Sequence, residues 1–205
     1  MLGLVDLFCS CCPALPSNNV RFEAVKIYTR KGDDGTTGLL YGGRVAKDSP
    51  QPVAYGDVDE TQAALGLARA AADSELAEVL LKLEGDLWLV MAELACLPEK
   101  LDRLTEAGTR PTAKDVTQLE ALIDQATTRF EPPTEFVVPG ENEISARLDF
   151  ARTVTRRAER SALAVTAEDS FVVPYLNRLS DLLWALARAE EGTSITAQSL
   201  NNEDS

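Results

Sequence analysis

The residues best suited to chemistry lie between positions 147 and 160. Arg147, Arg152, Arg156, Arg157, Glu159 and Arg160 fall within fourteen residues. Arg152, Arg156, Glu159 and Arg160 stand at offsets 0, 4, 7 and 8, which puts them on one face of a helix, with Arg157 on a neighbouring face. Such a stripe can be a solvated surface laced by intrahelical Arg–Glu pairs, each worth a few tenths of a kcal/mol. It can also be an anion clamp, because each guanidinium fork matches two phosphate oxygens. In a chain of net charge −13, a local concentration of arginine favours the clamp.

A second group lies in Thr29-Arg30-Lys31-Gly32-Asp33-Asp34-Gly35-Thr36-Thr37-Gly38. Its glycines allow positive φ and close backbone approach. Consecutive N–H groups in such a loop can form an anion-binding nest. Thr29, Thr36 and Thr37 add hydroxyls, and Arg30 and Lys31 add charge. The spacing is not that of a Walker loop, so a simple Gly/Asp turn stands beside the phosphate reading. Asp33 and Asp34 would repel phosphate unless they hold Mg²⁺ or pin the loop. A third group, Asn177-Arg178-Leu179-Ser180-Asp181, puts Asn177, Asp181 and Trp184 on one helical face, either as a polar patch or as an amide that reads adenine or ribose.

Composition narrows the chemistry. There is no histidine, which removes Ser-His-Asp and Cys-His catalysis and imidazole as a metal ligand. The acidic balance argues against nucleic acid as a partner. No apolar run reaches the ~18 residues of a membrane span. Three of the four cysteines, Cys9, Cys11 and Cys12, crowd the N-terminus, one ligand short of a zinc clip. The N-terminal stretch lacks the basic region of a secretory signal, so cytoplasm is the expected location.

The elements that position these groups are helices. Residues 1–24 read as a disordered extension, 25–191 as one helical-bundle domain and 192–205 as a disordered tail. Val25–Thr29 reads as extended, followed by an ordered loop. A first helix is expected from Asp57 to Ala72, with Asp57 and Glu60 as a capping pair. A second is expected from Ser74 to Cys96, with Leu76, Leu80, Leu83, Leu87, Val90 and Leu94 inward. A third begins after a Thr112 cap and ends before Pro132. A fourth runs from Asn142 to Thr166 and a fifth from Phe171 to Glu190, with a shorter helix around 98–106. Short loops between long helices favour an up-down bundle, an all-α fold.

Five strings in order carry a resemblance: Lys26–Thr37, Ala54–Glu60, Phe136-Val-Val-Pro-Gly140, Ala151-Arg-Thr-Val-Thr-Arg-Arg-Ala-Glu-Arg160 and Asn177-Arg-Leu-Ser-Asp181. The chain resembles the PduO-type ATP:cob(I)alamin adenosyltransferases over about Val25 to Ala189. The resemblance implies a five-helix bundle, a homotrimer with sites between subunits, and transfer of the 5′-deoxyadenosyl group of ATP to the cobalt of cob(I)alamin. ATP and cob(I)alamin would be substrates and Mg²⁺ the metal. It implies that Thr29–Gly38 wraps the triphosphate and that Lys47, Arg156, Arg157, Arg160 and Glu159 bind nucleotide and metal, with Asn177 on the adenosine side. Asp59 and Arg152 would bridge subunits on the corrinoid side, and Phe136 would lie beneath the corrin ring. A reductase and an adenosylcobalamin-dependent enzyme are the implied partners. Two departures stand out: Glu141 follows Pro139-Gly140 where the family often has a second glycine, and the sequence after Ala189 differs from the longer family ending. The rival reading is a cobalamin carrier with little catalysis.

Overall fold

A computed structural model of the chain describes Tyr28 and residues 30–197. Tyr28 and Arg30 belong to a separate unit, Met1–Arg30, in which the Arg30 guanidinium carbon lies 5.6 Å from the Tyr28 ring centre. The expectations for residues 1–24, for most of the extended Val25–Thr29 piece and for Thr29 itself fall outside the described residues, as do Cys9, Cys11 and Cys12.

The second unit starts with a β-hairpin, β1 (Thr36–Gly38) and β2 (Arg44–Ala46), paired antiparallel with Thr37 opposite Val45. Six α-helices follow: α1 (Pro50–Arg69), α2 (Ser74–Leu94), the short α3 (Leu101–Glu106), α4 (Ala113–Thr127), α5 (Glu143–Ala162) and α6 (Val172–Glu191). The all-α expectation holds for the body of the chain. The count differs from five, because five long helices are joined by α3 within the α2–α4 connection. The hairpin was not expected. Its strands are three residues each, too short for period-2 alternation to show.

Caps follow local chemistry. Asp73 accepts the Leu76 amide at the start of α2. Thr112 and Asp115 form a reciprocal box at α4, and Asn142 and Ser145 another at α5, each satisfying orphan N–H groups. The start of α1 corrects the sequence reading. Ser49 precedes it and Pro50 opens it, where a fixed φ and a missing N–H cost nothing. Asp57 therefore lies inside α1, and neither it nor Glu60 caps anything.

The long helices alternate in direction. Arg147 of α5 donates to Leu67 O near the end of α1 (2.9 Å), whereas Arg157 reaches Asp57 near its start (3.3 Å), so α1 and α5 are antiparallel. Ala54, Ala64 and Ala68 of α1 and Ala151, Ala158 and Ala162 of α5 are buried. Such small residues let the two backbones approach closely. Leu80, Leu83, Leu87, Leu176, Leu179 and Leu183 fill the rest of the core. Removing surface of this kind from water yields ~25 cal/mol per Å².

This topology gives the bundle two distinct ends. The hairpin, the start of α1, the end of α5 and the start of α6 share one end. The 128–142 connection, the end of α6 and residues 193–197 share the other. There the segment expected to begin a disordered tail pairs with the chain: Val138 N donates to Ile195 O (2.8 Å) and Ala197 N to Phe136 O (2.9 Å), with a bridge between Val137 and Thr196.

Candidate active site

The glycine loop is held rigidly before it meets any ligand. Gly35, at φ +81°, closes a turn by donating to Gly32 O (3.2 Å). Asp34 accepts both the Thr36 amide (2.9 Å) and hydroxyl (2.8 Å). Those donors, the amide foremost, hold its carboxyl below the usual aspartate range. Asp34 thus pins the loop. Arg44 stitches across it, donating to Thr36 Oγ1 (3.1 Å) and Lys31 O (2.6 Å). The sequence reading had no role for Arg44.

Lys47 belongs to the same loop. Its amide donates to Gly35 O (2.9 Å), and its Nζ would lie 3.1 Å from a Cβ built on Gly32. Gly32 is thus the residue that admits the lysine, and a cation sits over the glycine turn.

The far side of the hairpin is anchored to the bundle. Leu40 N donates to Ala95 O (2.8 Å), Lys100 Nζ donates to Tyr41 O (2.9 Å) and Gly42 O (3.1 Å), and Gly43 packs so closely on Leu97 that a Cβ would meet it at 3.2 Å.

The arginine stripe resolves into three roles. Arg156 and Arg160 are exposed and have no hydrogen-bond or ion-pair partner among the described residues, so both forks are free. Arg157 is different. Asp57 and Glu60 take its guanidinium, with Glu60 the main cause of its strengthened basicity, so within the chain it fastens α5 to α1. Arg152 donates Nε to Asp149 (3.0 Å). Glu159 accepts Asn177 Nδ2 on Oε1 (3.1 Å), and Oε2 has no partner among the described residues. That contact brings the arginine helix and the Asn177 string together at the hairpin end.

Phe136 and Asp59 stand apart. Phe136 is 89% exposed at the opposite end of the bundle. Asn142, the start of α5, lies fourteen residues from Arg156, roughly 20 Å along the axis at 1.5 Å per residue, and Phe136 is six residues further out. Asp59 is exposed beside Gln62, Glu84 and Trp88 in a shallow groove between α1 and α2, and it does not pair with Arg152.

Residues 27–190 match the cobalamin adenosyltransferase family. The chain belongs to that family. It is 44% identical over 169 residues to the corrinoid adenosyltransferase PduO of Salmonella typhimurium, covering 80% of this chain and 49% of that one. It is 43% identical over 173 residues to a corrinoid adenosyltransferase of Citrobacter freundii, covering 82% and 96%. The chain therefore spans about half the length of the longer PduO relatives and nearly all of the shorter one. A variant PduO-type ATP:corrinoid adenosyltransferase from Lactobacillus reuteri, solved with cobalamin and ATP, superposes with a TM-score of 0.76 at 27% identity, over 84% of this chain and 99% of that one.

Proposed function

We propose that this family member transfers the 5′-deoxyadenosyl group of ATP to the cobalt of cob(I)alamin, releasing triphosphate. The observation that carries the reading is a pair of unpaired guanidinium groups, Arg156 and Arg160, at the same bundle end as a lysine-covered glycine turn. In an acidic chain this is a triphosphate site. Lys47, the turn around Gly32 and the two arginines meet the phosphates, and Asn177 and Glu159 meet the adenosine side.

In the reaction, Co(I) supplies the electron pair, the Co–C5′ bond forms, the C5′–O bond breaks and triphosphate leaves with those electrons. Negative charge grows on the leaving group. Donors already fixed in place stabilise it without reorganising, typically the largest catalytic contribution. No general base is needed, in keeping with a chain that has no histidine.

Among the described residues no group of three or more Asp, Glu or Cys forms a metal cage. Mg²⁺ does not need one, since it usually binds through one or two carboxylates plus substrate phosphates. The unpartnered Oε2 of Glu159 fits that need, and the metal would neutralise phosphate charge there.

Bond formation needs reacting atoms about 3–3.5 Å apart. Within one chain Phe136 lies far beyond that reach of the nucleotide end. A corrin ring resting on Phe136 therefore meets the nucleotide of a second copy, and the site lies between subunits. Asp59 is exposed and has no ion-pair partner among the described residues, which leaves it able to meet the Arg152 of another copy. A homotrimer, a cytoplasmic location and supply of Co(I) by a reductase complete the reading.

The test is optical. The chain is mixed with ATP, Mg²⁺ and chemically reduced cob(I)alamin, and a light-sensitive alkylcobalamin spectrum should develop. Corrinoid binding with no such product would instead favour a carrier.

A further inference from the structure

The buried charges at the Phe136 end play no part in the chemistry above. Arg188 of α6 is 2% exposed, and the side chains of Asp149 and Glu191 are 4% and 0% exposed. Arg188 Nη2 donates to Asp149 Oδ2 (2.6 Å) and to Glu191 Oε2 (2.9 Å), and Nε lies 2.6 Å from Glu191 Oε1. Asp149 also accepts Arg152 Nε (3.0 Å). Two cations and two carboxylates thus balance, three of the four groups almost closed to water and Arg152 at the partly exposed edge.

Such a network gives little stability for its complexity. Desolvating each ion costs several kcal/mol, and apolar residues of similar volume often do as well or better. What it provides is fixed geometry. Glu191 also accepts the Ser194 hydroxyl. Ser194 opens the segment whose Ile195 O accepts Val138 N (2.8 Å) and whose Ala197 N donates to Phe136 O (2.9 Å). Arg188 also stacks on Trp184 at 5.8 Å, and Trp184 meets Phe130 edge-on at 5.8 Å. Phe130 heads the same connection that carries Phe136. One guanidinium is therefore linked to the Phe136 connection twice, through Trp184 to Phe130 and through Glu191 and the segment that Ser194 opens to Phe136 and Val138, and through Asp149 to Arg152.

We propose that Arg188 is a positioning residue whose buried ion network fastens residues 193–197 across the Phe136–Val138 loop and so sets the corrinoid side of the site. The inference rests on the adenosyl-transfer reading for its link to corrinoid. The clasp itself rests only on the contacts above. It separates the two substrates: loosening it disturbs corrinoid and leaves the nucleotide end untouched.

Three variants of the full oligomer test it: Arg188→Lys, Ser194→Ala and a chain ended at Gly192. Lysine keeps the charge but loses the fork that spans two carboxylates. The other two release the clasp without entering the core, so they decide the matter if Arg188→Lys does not fold. Hydrogen exchange at the Val138 amide should quicken at least tenfold in each, with helix-core amides unchanged. The KM for cob(I)alamin should rise about tenfold, with the KM for ATP within about twofold of the unaltered chain. Unchanged exchange at Val138, or equal changes in both KM values, would overturn the proposal. An unaltered chain that makes no alkylcobalamin would instead overturn the adenosyl-transfer reading, and the exchange measurement would still report on the clasp.

Discussion

Arg156 and Phe136 carry the sharpest predictions at the scale of single residues, because each has an exposed side chain with no side-chain partner among the described residues. In the proposed function Arg156 donates to the leaving triphosphate, and removing one such donor costs about a hundredfold or more in rate. Arg156→Ala should lower kcat and kcat/KM together, read by steady-state kinetics under varied ATP. If Phe136 lies beneath the corrin as proposed, Phe136→His would place an imidazole there, where the native chain offers none. It should slow turnover and give bound Co(II) the absorption spectrum of a complex with a lower nitrogen ligand. An unchanged spectrum with full turnover would end the assigned role of Phe136. Both were singled out in the sequence, Arg156 by its place on the arginine stripe and Phe136 by the resemblance of its string. The roles of Arg157, Arg44 and Arg188 were not legible there. Their partners, Asp57 and Glu60, Lys31 and Thr36, Asp149 and Glu191, are fixed by packing that no helical period encodes.

Helices and hairpin set where those residues stand, and here the sequence was informative for a plain reason. The stripes in α2 and α6 are long and leucine-rich, so their period is clear, and the cap at Thr112 falls where expected. The start of α1 was hidden because Pro50, Pro52 and Gly56 look like loop residues, although prolines suit a first turn. Lys100→Met should release the hairpin tip from its two carbonyl contacts. The KM for ATP should rise about three- to tenfold, and the KM for cob(I)alamin should stay constant. Arg110 grips the buried Glu93 (2.9 Å) and also reaches Asp169 (3.5 Å), tying the end of α2 to the turn before α6. Arg110→Ala strands a buried carboxylate and should cost about 3 kcal/mol, measured by urea unfolding. Burial raises the carboxyl pKa of Asp86, despite nearby Lys82 and the Tyr175 hydroxyl. A folded-state pKa raised above the unfolded value gives stability that is full in acid and lost as pH rises through it. Asp86→Asn should therefore gain Tm relative to the native chain at neutral pH, and that gain should vanish below the ordinary carboxylate range.

For the whole molecule, an anionic bundle displays Lys47, Arg156 and Arg160 at one end and the exposed Phe136 at the other. That division could not be read from the sequence, because it follows from the antiparallel pairing of α1 with α5 and of α5 with α6. Under the proposed function it leaves the single chain incomplete: a site would draw the glycine turn, Lys47, Arg156 and Arg160 from one copy and Phe136 from the next. The most direct test is complementation between two inactive chains, Arg156→Ala and Phe136→Ala, each assayed alone and then co-assembled. Mixed oligomers contain some interfaces with both native residues, so alkylcobalamin formation should return to a sizeable fraction of the native rate. Co-assembled chains no more active than either variant alone would contradict a site shared between subunits.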